Sequence, residues 1–102
     1  MAVVYVSPKA AEDLDGIKDY IENSLKSPHA AKLTVLKIIG TYEKLADYPE
    51  LGSELQGVSA SLRCYRHLKS GNYIIFYRLN DGNVYVIRVL HKMVDFLKIL
   101  VP

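Results

Sequence analysis

The chain's 102 residues, half of them apolar and 24% charged, suit one soluble globular domain spanning 1–102 and exclude intrinsic disorder or two separate cores. Its net charge of +2 is too mild to imply nucleic-acid binding, and its single cysteine excludes an internal disulfide framework or an all-cysteine zinc site. No apolar run approaches the roughly 20 residues that span a bilayer, and no basic segment leads into a hydrophobic one at the start, so no membrane contact is expected and the cytoplasm is the expected compartment.

Val3-Val4-Tyr5-Val6 is β-branched and aromatic, which predicts a short buried strand. Ser7-Pro8 then signals a helix start. Serine caps free amides, and proline suits the first helical position, where its missing N–H costs nothing. Glu12 and Asp13 lie near that end, where the helix dipole favours negative charge. Leu14, Ile17, Ile21 and Leu25 recur at helical spacing, so the first helix should run from Pro8 to about Leu25 with that stripe buried. Ser27-Pro28 repeats the start signal. Ala31, Val35, Ile38, Tyr42 and Leu45 then line one face of a second helix, from Pro28 to about Ala46. The short link predicts an antiparallel helical hairpin. Tyr48-Pro49-Glu50-Leu51-Gly52 ends the helical part, and residues 53–60 are small and polar, as in a loop.

The second half changes period. Leu62 to Leu68, Tyr73 to Leu79 and Val84 to Leu90 are dense in Tyr, Ile, Val and Phe, which predicts three strands. Ser70-Gly71-Asn72 and Asn80-Asp81-Gly82-Asn83 separate them as turns, the second a strong hairpin signal because Asp-Gly tolerates positive φ. With Asp81-Gly82 as a two-residue turn, Ile75 faces Arg88 and Tyr77 faces Val86 on one side of the sheet. Phe76 then faces Ile87, and Arg78 faces Tyr85, on the other. The tail, Val94 to Leu100, fits a short closing helix or a last strand. The predicted class is α+β in the order β-α-α-β-β-β: a helical hairpin on one face of a small antiparallel sheet, which the first strand joins.

No motif calls for a cofactor or a metal. The glycines are scattered turn residues with no phosphate-cradling loop, and His29, His67 and His91 are far apart. Cys64 lies in a predicted strand without a motif around it and reads as a small buried thiol. The basic residues carry more information. Arg63, Arg66, His67 and Lys69 lie on or beside the second predicted strand, Arg78 ends the third, and Arg88 lies within the fourth, with His91 and Lys92 after it. They are threaded among Tyr65, Tyr73, Tyr77 and Tyr85, while the acids gather in the first half. A mid-strand Arg88 needs a partner, because burying an unpaired guanidinium is costly. That partner is an acid on the chain, a bound anion such as phosphate, or an acidic segment of another protein; otherwise the stem packs and the head reaches water. His91 and Asp95 meet if Lys92 to Leu100 is helical, which would equip His91 for acid–base work.

Several of these segments together are similar to toxins of the RelE/ParE superfamily. They are Ser7 to Ile17 (SPKAAEDLDGI) followed by Tyr20-Ile21; Tyr48-Pro49-Glu50-Leu51-Gly52; Arg66-His67-Leu68 with Gly71 to Arg78 (GNYIIFYR); and Val84 to His91 (VYVIRVLH) with Asp95. The resemblance spans essentially the whole chain and implies the same helical hairpin on a small sheet. It implies the toxin of a type II toxin–antitoxin pair, made beside a small, acidic, partly disordered antitoxin that wraps it into a hetero-oligomer. RelE-like members cut messenger RNA in the ribosomal A site, with basic side chains and often a C-terminal tyrosine or a histidine. ParE-like members poison DNA gyrase.

This sequence lacks the paired lysines of the RelE pattern on the strand holding Arg63 and Arg66. Its tail, Leu97 to Pro102, holds no tyrosine or histidine. His91 does not separate the branches, since ParE-like relatives also carry it. The resemblance therefore runs closer to ParE and implies gyrase inhibition by binding, through a basic, tyrosine-bearing surface and the C-terminal segment. On that account the partner or target surface comprises Arg63, Arg66, Tyr73, Tyr77, Arg78, Arg88, His91 and Lys92. The alternative is a RelE-like, ribosome-dependent mRNA endoribonuclease. Arg63, Arg66, Arg78 or Arg88 would then neutralise the scissile phosphate, while His91 moves a proton to help the 2′-hydroxyl attack. A further alternative is an inactive relative that only binds partners. The nuclease needs an arginine and His91 on one open surface.

Overall fold

Ser7 ties the start of the first helix to the far end of the chain. Its hydroxyl accepts the Ala10 amide at 3.0 Å and donates to the Ile87 carbonyl at 2.8 Å. The structure is a computed structural model that describes residues 1–55 and 60–101. Strand β1 (Val4–Val6) precedes Ser7, and helix α1 (Pro8–Asp19) follows it with Pro8 at its first turn. The helix then widens into a π-helical turn over Tyr20–Ser24. The predicted first helix is thus present with a change of winding, and Leu25 is exposed instead of closing the apolar stripe. Ser27 caps α2 (Pro28–Glu43), accepting the Ala30 amide at 3.4 Å, and a 3₁₀ turn continues over Lys44–Ala46. Ala31, Ile38, Tyr42 and Leu45 are buried, as the helical spacing requires.

The remaining elements are β2 (Ser53–Glu54), β3 (Tyr65–Ser70), β4 (Tyr73–Asn80), β5 (Asn83–His91) and α3 (Phe96–Leu100). They form a sheet in the order β1-β5-β4-β3-β2. The meander is antiparallel, while β1 lies parallel to β5, with Val4 beside Val84 and Val6 beside Val86. The helical hairpin lies between β1 and the rest in sequence, and it carries the chain back across one face. Asp81 and Gly82 both have positive φ, 53° and 78°, and close the tight turn between Asn80 and Asn83. Ser53–Glu54, expected in a loop, adds a short edge strand against His67 and Arg66.

The β4–β5 register is as expected near the turn, with Tyr77 opposite Val86 and Arg78 opposite Tyr85. Beyond it a β-bulge leaves Ile87 over, so Arg88 stands opposite Phe76 and Val89 opposite Ile75. The bulge corrects the expected Ile75–Arg88 and Phe76–Ile87 pairs. It also resets the pleat, because Val84 and Val86 before it and Val89 after it join the same core. That core lies between the sheet and the hairpin and includes Ala10, Ile38, Leu45, Ile75 and Tyr77. Each fully buried large side chain here contributes roughly 1.5–3 kcal/mol. A second cluster on the outer face gathers Leu55, Leu62, Phe76 and Leu90. The tail is the helix α3, whose Phe96 ring lies 5.1 Å from that of Phe76.

Tyr77 explains the Tyr48–Gly52 segment. Its buried hydroxyl accepts the Gly52 amide at 2.8 Å and donates to the Pro49 carbonyl at 2.8 Å, which pins the chain as it leaves the helices. Tyr77→Phe leaves the Gly52 amide without its acceptor, and chemical denaturation should show a loss of about 2 kcal/mol. Burial first of all lifts the Tyr77 phenol above its ordinary 10.0, against the lowering effect of the Gly52 hydrogen bond. Burial lifts Tyr42 and Tyr73 too. A raised folded value means that this stability is complete below the ordinary value and lost as pH rises through the raised one. Stability should therefore fall above about pH 10, and fall less steeply in Tyr77→Phe.

Candidate functional site

Arg88 finds its partner on the chain. Helix α1 passes beside β5 where β1 has ended, and Asp13 fills the place of the missing strand. Its carboxylate accepts Nε and Nη2 of Arg88, each at 2.8 Å, and the Val89 amide at 2.9 Å. The two side chains are only 24% and 12% exposed. The hydrogen bonds it donates to Asp13 strengthen the guanidinium's hold on its proton, against the opposing effect of burial. Of the three partners open to Arg88 in the sequence, the structure contains the acid. Nothing in the spacing of Asp13 and Arg88 announces the pair.

Arg66 is also held within the fold. Its Nη1 donates to the Gly52 carbonyl at 2.7 Å and the Glu50 carbonyl at 3.3 Å, and its Nη2 to Glu54 at 3.1 Å. It straps the 50–54 segment to β3. Tyr77 has no exposed surface at all, 0%, so its place is in the core and not on a partner-binding face. Cys64 is exposed in the turn before β3, which corrects the buried thiol expected from the sequence.

Arg78 is different. It is exposed on the outer face, with its guanidinium 5.6 Å from the centre of the Tyr65 ring. Among the described residues it has no carboxylate partner. It belongs to a row that crosses four strands: Tyr5 beside Tyr85, Tyr85 opposite Arg78, and Arg78 opposite Tyr65. The Tyr5 and Tyr85 rings stack at 5.0 Å. Beside this row a shallow cleft of about 240 Å³ is lined by Arg78, Asn80, Tyr85 and Ile87. Arg63 is exposed in the turn before β3.

Tyr73, His91 and Lys92 lie at the other end of the sheet. Tyr73 pairs with His91, and the two rings meet edge to face at 5.4 Å. The His91 Nδ1 accepts the Met93 amide at 3.1 Å. Helix α3 begins at Phe96, after an open turn, and no His91–Asp95 contact forms among the described residues. Lys92 is exposed, and its amide donates to the Asn72 carbonyl at 2.8 Å. Five steps along β4 lead from Tyr73 to Arg78, about 17 Å at the usual rise per residue. The structure therefore brings Arg78 together with Tyr85, as the expected register has it, and with Tyr65, and it keeps His91 apart from Arg78, Arg66 and Arg63. It also brings Tyr20 and Glu12 of the first helical segment to a cleft with Tyr73 and His91. Both residues lie in the segment that resembles the superfamily, but neither was a candidate site residue.

The sequence matches the family described as ParE toxin of type II toxin–antitoxin system, parDE, over residues 4–96. Toxin ParE1 of Caulobacter vibrioides is 32% identical over 90 residues, which cover 88% of each chain. Toxin RelE2 of the same organism is 35% identical over 91 residues, 89% of this chain and 96% of the relative. Among solved structures, the chromosomal ParDE toxin–antitoxin system of P. aeruginosa contains a similar chain, with a TM-score of 0.75 and 22% identity over 89% of this chain and 96% of that one. The RelBE2 toxin–antitoxin complex of Mycobacterium tuberculosis gives a TM-score of 0.59 and 20% identity, covering 88% of this chain and 96% of that one.

Proposed function

The chain belongs to the ParE toxin family of type II toxin–antitoxin systems, and from that premise we propose that it inhibits DNA gyrase by binding and is neutralised by a cognate antitoxin. The observation that carries the gyrase reading is the separation of the charged groups. A ribonuclease of this kind needs a phosphate-neutralising arginine beside an acid–base group. Here Arg88 is closed by Asp13, Arg66 is tied to Glu54 and two carbonyls, and Arg78 stands about 17 Å along the sheet from the His91 end. Binding asks only for a surface, and the row of Tyr5, Tyr85, Arg78 and Tyr65 supplies a basic, tyrosine-bearing one. Arg63 adds charge to it from the neighbouring turn. The antitoxin is proposed as small, acidic and partly disordered, and it fits the exposed guanidinium of Arg78 by charge. The relatives solved as ParDE and RelBE2 systems support such a partner. The cytoplasm, where gyrase acts on DNA, is the matching compartment, and no described helix is long and apolar enough to cross a membrane.

Induction of the chain without its antitoxin, with DNA, RNA and protein synthesis followed separately, tests this reading. DNA synthesis should fail first. Purified chain should block gyrase supercoiling and leave cleaved gyrase–DNA complexes. Arg78→Ala should weaken that inhibition about tenfold, and His91→Ala should leave it within about twofold. If translation stops first and messages are cut within ribosomes, the endoribonuclease takes its place, a result that the relative named RelE2 keeps in view. Normal growth with confirmed soluble chain would identify an inactive relative.

A further inference from the structure

Between α1 and the end of β5 lies an open cleft of about 540 Å³. Tyr20, Tyr73 and His91 supply its aromatic walls, Gly16 lies at its side, and Glu12 stands at its rim. Three features set it apart from a packing defect. Tyr20 opens the π-helical turn and is 57% exposed, a large ring that the fold leaves in water; such turns recur at functional sites. Gly16 lies inside a helix, where glycine costs about 1 kcal/mol against alanine, yet a Cβ there would meet nothing within 4 Å. The fold does not need that glycine, whereas an incoming group does gain its space. Finally, no lysine or arginine among the described residues lines the cleft, although the chain carries a net positive charge. Asp13 is occupied by Arg88; Glu12 feels the Arg88 charge only through space and makes a loose, exposed pair with Lys9 at 3.7 Å, with both side chains over 70% exposed. Such a pair contributes little and opens readily.

We propose that this cleft receives a basic side chain, an arginine or lysine presented by a protein partner, between Tyr20 and the Tyr73–His91 pair with Glu12 as its counter-charge. Ring faces attract a cation within about 6 Å of their centres, and arginine does so most often. The carboxylate supplies the second half of the recognition. An acidic or neutral side chain would gain neither. The cleft shares no lining residue with the one beside the Tyr5–Arg78 row, so the basic side chain it takes is a contact separate from that row's. It does not depend on that protein being gyrase.

The test uses the full ¹⁵N-labelled chain and two probes of matched shape, N-acetyl-arginine methylamide and its uncharged citrulline counterpart. The arginine probe should produce saturating amide shifts at Gly16, Tyr20, Tyr73 and His91 with a millimolar Kd. The citrulline probe should bind about tenfold more weakly. Tyr20→Ala should weaken arginine binding about tenfold while leaving the melting temperature unchanged, since the ring is exposed. Gly16→Leu should fill the cleft, abolish the shifts and keep the fold. Equal shifts from both probes would make the cleft an apolar groove and overturn the proposal. So would shifts that persist in Gly16→Leu, stronger binding of the matching glutamate derivative, or no saturable shift at all. Because the measurement needs no gyrase, a failed supercoiling assay and a failed titration remain distinct results.

Discussion

Gly52→Ala should lower stability by about 3 kcal/mol and release the edge strand β2 from the sheet. A Cβ on Gly52 would lie 2.6 Å from the His67 carbonyl oxygen and 2.7 Å from the Tyr77 hydroxyl. Both are far inside contact distance. The tyrosine is buried and held by Pro49, and the carbonyl is backbone of β3, so neither can step aside cheaply. Relief would have to come from moving the 49–54 segment. That movement breaks the Tyr77 bonds to Gly52 and Pro49, and the Arg66 bond to the Gly52 carbonyl. A second variant identifies the cause. Adding Tyr77→Phe removes the hydroxyl but leaves the carbonyl clash, so the double variant should not recover. Gly40→Ala serves as the control: its Cβ meets nothing within 4 Å and it lies in α2, so it should gain about 0.5–1 kcal/mol. Equal midpoints for Gly52→Ala and the parent chain in urea would refute the close approach.

The sequence made local features legible because local chemistry decides them. Ser7-Pro8 and Ser27-Pro28 cap their helices with the expected hydroxyl bonds, and Asp81-Gly82 sets the hairpin and the four pairs nearest it. What failed was whatever depends on distant parts of the chain. The bulge at Ile87 has no residue signature, since neither glycine nor proline marks it, and one extra residue was enough to move Arg88 from Ile75 to Phe76. The winding change at Tyr20 is equally silent in composition. Tyr77 reads as a surface tyrosine because Arg78 follows it and basic residues run through this half of the chain. Its burial follows from the alternation of β4, which turns Ile75 and Tyr77 together toward the hairpin. Cys64 read as buried because the predicted strand began three residues before Tyr65, its first residue in the structure. For the candidate surface, charge was legible and availability was not: the sequence shows four arginines, and only the fold separates exposed Arg63 and Arg78 from engaged Arg66 and Arg88.

Removing Asp13 puts the sharpest question to that separation. Asp13→Ala leaves a mostly buried guanidinium without a partner and the Val89 amide without its acceptor. Breaking a fully buried pair costs about 3–5 kcal/mol. Arg88 keeps 24% of its side chain in water, so about 2–3 kcal/mol is the expected loss. Asp13→Asn retains an acceptor for Val89 and should lose about half as much. Combining Asp13→Ala with Arg88→Met removes the stranded charge and should restore part of the stability, a coupling that a double-mutant cycle in urea would read directly. The functional arm matters more. In a binding toxin whose Arg88 only braces α1 against β5, Asp13→Ala should reduce gyrase inhibition no further than its folded fraction predicts. Inhibition per folded molecule should stay within about twofold of the parent. If Asp13 instead holds a phosphate site shut, the same substitution would free Arg88 for an anion, and ribosome-dependent message cleavage would rise as stability fell. A rise of that kind would transfer Arg88 from the brace to the chemistry.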